Sequence, residues 1–133
     1  MNRTTIRKHT FLILFRAEFH EESELKEQSE LYFKSEETAG ISEEDADVIR
    51  ERAALVQEHL TEIDEMISQI SEGWDISRLG KVELSIIRLA CFEIMFDELV
   101  PTSVAINEAV ELAKKYGGDD SPSFVNGILA KLV

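Results

Sequence analysis

GKVELSIIRLACFEIMFDEL, residues 80–99, decides the fold class. Its middle is almost wholly apolar, with no strand-like alternation and no turn residue inside it. A helix that is hydrophobic on most sides is normally the central one of a bundle, so this stretch predicts a buried helix stopped by Pro101. Downstream, Val104, Ala105, Ala109, Val110, Leu112 and Ala113 repeat at helical spacing, and Gly117-Gly118 predict left-handed caps. Ser121-Pro122 then reads as a serine N-cap with proline in the first turn of a last helix, FVNGILAKLV.

Upstream the pattern is also helical. Ala46, Ile49, Ala53, Val56, Leu60, Ile63, Met66, Ile67 and Ile70 keep one period for almost thirty residues, which predicts a break near residues 59–61, with Thr61 as a cap. Ser42 and Asp45 resemble a capping box at its start. Gly73 ends the run and Trp74 begins a connection. The segment 21–38 is weakly patterned, with Leu25, Leu31, Tyr32 and Phe33 as anchors for one helix. A first helix is expected over about residues 4–19, around the apolar FLILF. The prediction is an all-α chain, a single compact domain over residues 1–133 with six to seven helices.

Composition excludes several classes. One cysteine, Cys91, forbids an internal disulfide and an all-cysteine metal cage, and fits a reducing, cytoplasmic setting. No apolar run approaches the roughly 20 residues of a membrane helix, so no membrane partner is expected. The net charge of −13 argues against nucleic acid for the chain as a whole, but it is unevenly spread. Residues 1–18 carry +3, residues 19–75 carry −14 and residues 76–133 carry −2. The chain ends are therefore where an anion-binding surface is sought.

Catalytic signals are absent. There is no phosphate loop, nucleophile elbow or His-Glu-x-x-His pattern, and neither cofactor nor metal is expected. His9, His20 and His59 read as surface or cap residues, and Cys91 as a packing residue with an inert thiol. Binding signals are stronger. Arg3 and Arg7 lie four apart with Lys8 adjacent, and Phe11 and Phe15 continue that row into a helix whose FLILF core competes for the same rings. Cations beside exposed rings are how single-stranded nucleic acid is often held. Residues 117–127, GGDDSPSFVNG, form a second candidate, with N–H groups of Ser123 and Phe124 able to meet an anion and Asp120 able to accept from base amino groups. Gly127 inside a helix costs on the order of 1 kcal/mol, which predicts close approach of a neighbouring helix or, as the alternative, of a ligand.

VELSIIRLACFEIMF (82–96) and VPTSVAINEAVELAKKYGGDDSPSFVNGILAKL (100–132) resemble the NusB family of bacterial transcription antitermination factors. The resemblance is specific over about half the chain and looser before it. It implies a NusB-like fold of two small packed helical bundles and a non-enzymatic role: binding boxA RNA together with NusE, a small-subunit ribosomal protein, and joining other Nus factors and RNA polymerase. Carried onto this sequence, it implies RNA contacts by Arg3, Arg7, Phe15, Asp120 and Phe124, and a partner contact by Glu83. The chain departs from the family at Thr4 and Thr5, where further bases often stand, and at Phe15, where tyrosine is frequent. Sparse cations predict weak RNA binding without the partner, and about three phosphate contacts give a salt slope of about −2. Two other readings stay open: an RNA-binding module like that of ribosomal RNA methyltransferases, and a protein-only adaptor. A homodimer through a Phe11/Phe15 surface is a further expectation.

Overall fold

The computed structural model describes residues 1–71, Gly73 and residues 75–133, with Glu22 through its backbone alone. Among the described residues there are seven α-helices and no strand: α1 (Arg3–Ala17), α2 (Leu25–Phe33), α3 (Glu43–Glu58), α4 (Leu60–Ile70), α5 (Lys81–Phe96), α6 (Thr102–Tyr116) and α7 (Ser121–Leu129). The expected all-α class with six to seven helices is what the chain adopts. Trp74 lies outside the described residues. Two compact units divide the chain, Met1–Glu58 and His59–Val133.

In the first unit α1 packs on α2 and α3. Asn2 opens α1, its Oδ1 accepting from the Thr5 N–H at 2.8 Å. Ser42 opens α3 by accepting from the Asp45 N–H at 3.1 Å, the serine half of the expected capping box. The Asp45 carboxylate faces the N-terminal ammonium at 3.7 Å instead of closing the other half. Phe11, Ile13 and Leu14 of α1 are buried, as are Ala46, Ile49, Ala53 and Val56 of α3. Full burial of each large apolar side chain contributes about 1.5–3 kcal/mol. The acidic segment is tied down by Arg50, which meets Asp47 at 2.9 Å, Glu30 at 3.3 Å and Glu43 at 3.6 Å, and lies 4.5 Å from the centre of the Phe33 ring.

In the second unit α5 packs against α4, α6 and α7, so residues 81–96 form the central helix that their composition predicts. Leu84, Ile86, Ile87, Leu89, Ala90, Cys91 and Phe92 are all buried. Helix α4 turns Ile63, Ile67 and Ile70 inward at i, i+4, i+7 spacing. A bidentate fork joins α4 to α5: Arg88 Nε and Nη2 donate to the two Asp64 carboxylate oxygens, each at 2.9 Å. Burial lowers the Arg88 pKa, a cost the facing carboxylate offsets.

Several local expectations need correction. The break between α3 and α4 falls at His59, inside the expected 59–61, but Thr61 lies within α4 and does not cap it. His59 does not cap α4 through its ring, which instead stacks on Phe96 at 4.1 Å. His9 is neither a surface nor a cap residue: it is buried, with Nδ1 2.6 Å from the Tyr32 hydroxyl. Pro101 does not stop α5. The helix ends at Phe96, where Asp97 turns extended and its Oδ1 accepts from the Leu99 N–H at 3.1 Å; Pro101 instead opens α6. Gly117 is no left-handed cap, since its φ is −95° and the only positive-φ glycine among the described residues is Gly73. Ser121 is the first residue of α7 and Asp120 holds the cap position, because the serine hydroxyl is engaged elsewhere.

Candidate nucleic-acid interface

Helix α1 carries three of the expected contacts, and its geometry redistributes them. Successive residues turn by about 100°, so an i, i+4 row drifts about 40° per step and about 160° from Arg3 to Phe19. The row therefore crosses the buried side. Arg3 is exposed, Arg7 is only 7% exposed, Phe11 only 1%, Phe15 is half-buried and Phe19 is 58% exposed. Arg7 and Phe11 belong to the core of the row, not to a continuous cationic and aromatic stripe. Phe11 is likewise withdrawn from any homodimer surface.

The line that stays outward alternates steps of three and four: Thr5, Lys8, Leu12, Phe15 and Phe19, none of them buried. Lys8 and Phe15 are seven residues apart, two turns and about 10 Å along the axis, on nearly the same meridian. Phe15 and Phe19 meet edge to face with ring centres 5.2 Å apart, and Phe11 backs Phe15 at 6.1 Å. The side chain that accompanies the accessible rings is thus Lys8, which sequence spacing placed second to Arg7, and Phe19 joins Phe15. A helical projection of residues 3–19, weighing thirds as well as fourths, carries that signal. Arg16, beside this line, is drawn to Gln28, whose Oε1 accepts from Arg16 Nε at 3.0 Å.

Asp120, Phe124 and Glu83 belong to the second unit. Asp120 is exposed and Phe124 is half-buried. The Phe124 N–H donates to the Asp120 carbonyl at 3.0 Å, so it is committed to the helix and is not available to an anion. Gly127 is exposed, and a Cβ added there would meet nothing within 4 Å. The expected packing of a neighbouring helix on Gly127 is therefore overturned. Asp120, Phe124 and Gly127 stand at i, i+4, i+7 and form one outward line on α7, a cap carboxylate, a ring and an open backbone.

Glu83 sits in the first turn of α5, half-buried. Its Oε2 accepts from the Ser121 hydroxyl at 2.8 Å, and Ser121 Oγ accepts in turn from the Gly118 N–H at 3.0 Å. Two glycines make room. A Cβ at Gly117 would fall 2.5 Å from both Cβ and Oγ of Ser121 and 2.9 Å from the Ala113 carbonyl. A Cβ at Gly80 would collide with the Glu83 carboxylate. Gly117 is required by close approach, not by φ, whereas at Gly80 the atoms met are only the end of the Glu83 side chain.

Cys91 is buried and its thiol is pushed up to about 12, first by burial and then by the Asp64 charge. No group of three or more His, Cys, Asp or Glu suited to a metal occurs among the described residues. No described helix is long and apolar enough to cross a membrane.

Comparison with known proteins places this geometry. Residues 4–133 match the NusB family model. The transcription antitermination protein NusB of Lachnoclostridium phytofermentans is 55% identical over 133 residues, covering 100% of this chain and 99% of the relative. Among solved structures, NusB of T. maritima superposes with a TM-score of 0.81 at 34% identity, covering 99% of this chain and 90% of that one. NusB in a complex of the antitermination factors NusB and NusE with double-stranded RNA gives 0.82 at 25% identity, covering 98% and 94%. The seven helices, the central α5 and full-length identity above one half lead to one conclusion: the chain belongs to the NusB family.

Proposed function

We propose that the chain is a transcription antitermination factor that binds boxA RNA together with NusE and joins other Nus factors and RNA polymerase in the cytoplasm. It acts by binding, without catalysis or a cofactor. The observation that carries the reading is the outward line of α1, where Lys8 stands two turns from the accessible ring of Phe15, with Phe19 against that ring just past the helix end. A cation takes a phosphate and rings stack on bases, which suits an RNA strand with splayed bases. The relatives that carry the antitermination name, and the NusB–NusE–RNA complex with the same fold, support it.

Arg3, Lys8, Phe15 and Phe19 supply the contacts of the first unit; Asp120, Phe124 and the open backbone at Gly127 supply those of the second. Arg7 holds α1 in place rather than touching RNA, which replaces the role that the family pattern assigns to it. Glu83 is the candidate for the NusE side. With two α1 cations in place of three, the salt slope from this helix falls from about −2 to about −1.4. A protein partner that extends the surface then raises the affinity of a weak RNA binder. The full-length match to an antitermination protein favours this reading over an appendage of a methyltransferase.

The test is a fluorescence titration of boxA RNA with the chain, its Phe15→Ala and its Phe124→Ala variants. Each ring removed is expected to cost about 1–3 kcal/mol of binding, as for stacked bases, with the salt slope unchanged. Equal affinity of all three proteins would refute the proposed surface.

A further inference from the structure

The corner before α7 is held by a side-chain relay that the RNA reading alone does not require. Glu83 reaches from the first turn of α5 to the Ser121 hydroxyl at 2.8 Å, and the same oxygen of Ser121 accepts from the Gly118 N–H at 3.0 Å. The relay therefore links three points: the start of α5, the start of α7, and the turn between α6 and α7. Ser121 is buried, and Gly80 and Gly117 leave free the space that a Cβ would take from the Glu83 carboxylate and from Ser121. Ser121 is next to Asp120 and one helical turn from Phe124, so the hydrogen bond fixes where both present themselves.

We propose that Glu83 and Ser121 are positioning residues for RNA binding, Glu83 acting through Ser121 on the Asp120–Phe124 corner rather than by touching RNA. This rests on the RNA reading of that corner. It also gives the start of α5 a second task. The carboxylate that the family pattern assigns to the protein partner is already bonded to the RNA corner, so a partner pressing on the first turn of α5 and an RNA at α7 share one hydrogen bond. Coupling between two ligands needs such a shared element, whose geometry both of them bias.

The variants Glu83→Ala, Glu83→Gln, Ser121→Ala, the double Glu83→Ala/Ser121→Ala and Phe124→Ala separate the possibilities. RNA affinity, its salt slope, the thermal midpoint and the Gly118 amide resonance are read for each. Glu83→Ala and Ser121→Ala are expected to weaken boxA binding by roughly five- to tenfold, the size of one ordinary hydrogen bond, and the double variant no further, because both remove the same link. The salt slope stays unchanged, since no cation is lost. Glu83→Gln keeps an acceptor for the Ser121 hydroxyl, so it restores near-normal affinity and leaves the Gly118 resonance in place, whereas Glu83→Ala and Ser121→Ala move it. A merely structural defect would follow the thermal midpoint instead and would not be rescued by glutamine. If Phe124→Ala weakens binding while Ser121→Ala and Glu83→Ala do not, the positioning role is overturned and the RNA reading survives. If Glu83→Gln binds as poorly as Glu83→Ala with Gly118 unmoved, the carboxylate acts by its charge and the positioning role is again overturned. Unchanged binding by Phe124→Ala would remove the RNA reading and this inference with it.

Discussion

Exchanging the roles of Arg7 and Lys8 has a measurable consequence. Both are cations in the first three turns of α1, yet Arg7 is 7% exposed and Lys8 is half-buried on the outward line. Each phosphate contact on a single strand contributes about 0.7 to the slope of log affinity against log salt. Lys8→Ala should therefore lower the slope by about 0.7, from about −1.4 to about −0.7 for the α1 contribution. Raising salt from about 50 to about 200 mM should cost this variant roughly two- to threefold less affinity than the parent. Its thermal stability should stay within about 0.5 kcal/mol, as for other surface substitutions. Arg7→Ala should do the reverse. Removing a buried guanidinium costs about 2–4 kcal/mol of folding stability, while the salt slope of the protein that remains folded stays at the parent value. Filter or fluorescence titrations at four or five salt concentrations, paired with urea melts, read both quantities. A slope that drops in Arg7→Ala and holds in Lys8→Ala would refute the assignment of the outward line.

Other outcomes follow from packing and electrostatics. Gly127→Ala should stabilise the chain by about 0.5–1 kcal/mol, since the added methyl meets nothing and helix propensity improves, while Gly117→Ala should destabilise it by more than that through the clash with Ser121; urea melts decide both. Asp64→Asn leaves one acceptor and turns the other into a donor facing Arg88, so a loss of about 2 kcal/mol is expected in the same assay. The Cys91 thiol should resist alkylation at neutral pH until denaturant is added. Its pKa is raised in the folded chain, from an ordinary 9.0 to about 12, so this group has no effect on stability below pH 9 and lowers it as pH rises from 9 towards 12, where only the unfolded chain releases the proton. Alkylation rates and an alkaline stability series measure this.

Much of the fold was legible because burial leaves a periodic trace. The all-sided apolarity of residues 84–92 identified α5 as central, and the inward spacing of Ile63, Ile67 and Ile70 identified α4. Terminal details failed where a side chain found a tertiary partner. Ser121 reads as an N-cap until Glu83 claims its hydroxyl, and nothing local in residues 117–127 announces a carboxylate 38 positions upstream. Asp97 ended α5 through its own side chain before Pro101 was reached. The accessibility of the candidate contacts was half legible. Phe15, Asp120 and Phe124 follow from the family pattern, and the structure leaves all three accessible. Arg7 falls on the buried side of α1 because a spacing of four alone does not define a face over four turns. No neighbouring helix packs on Gly127, because the propensity cost of a helical glycine does not by itself say what, if anything, approaches it.

A weakly cationic, ring-bearing scaffold that binds boxA RNA should gain affinity from a protein partner. Titrating labelled boxA RNA with the chain at about 0.15 M salt, alone and with saturating NusE, measures that gain. Weak binding alone and at least about tenfold tighter binding with NusE is the predicted result, within the usual range of coupling between two ligands. The same RNA affinity with and without NusE, or no RNA binding in either case, would contradict it.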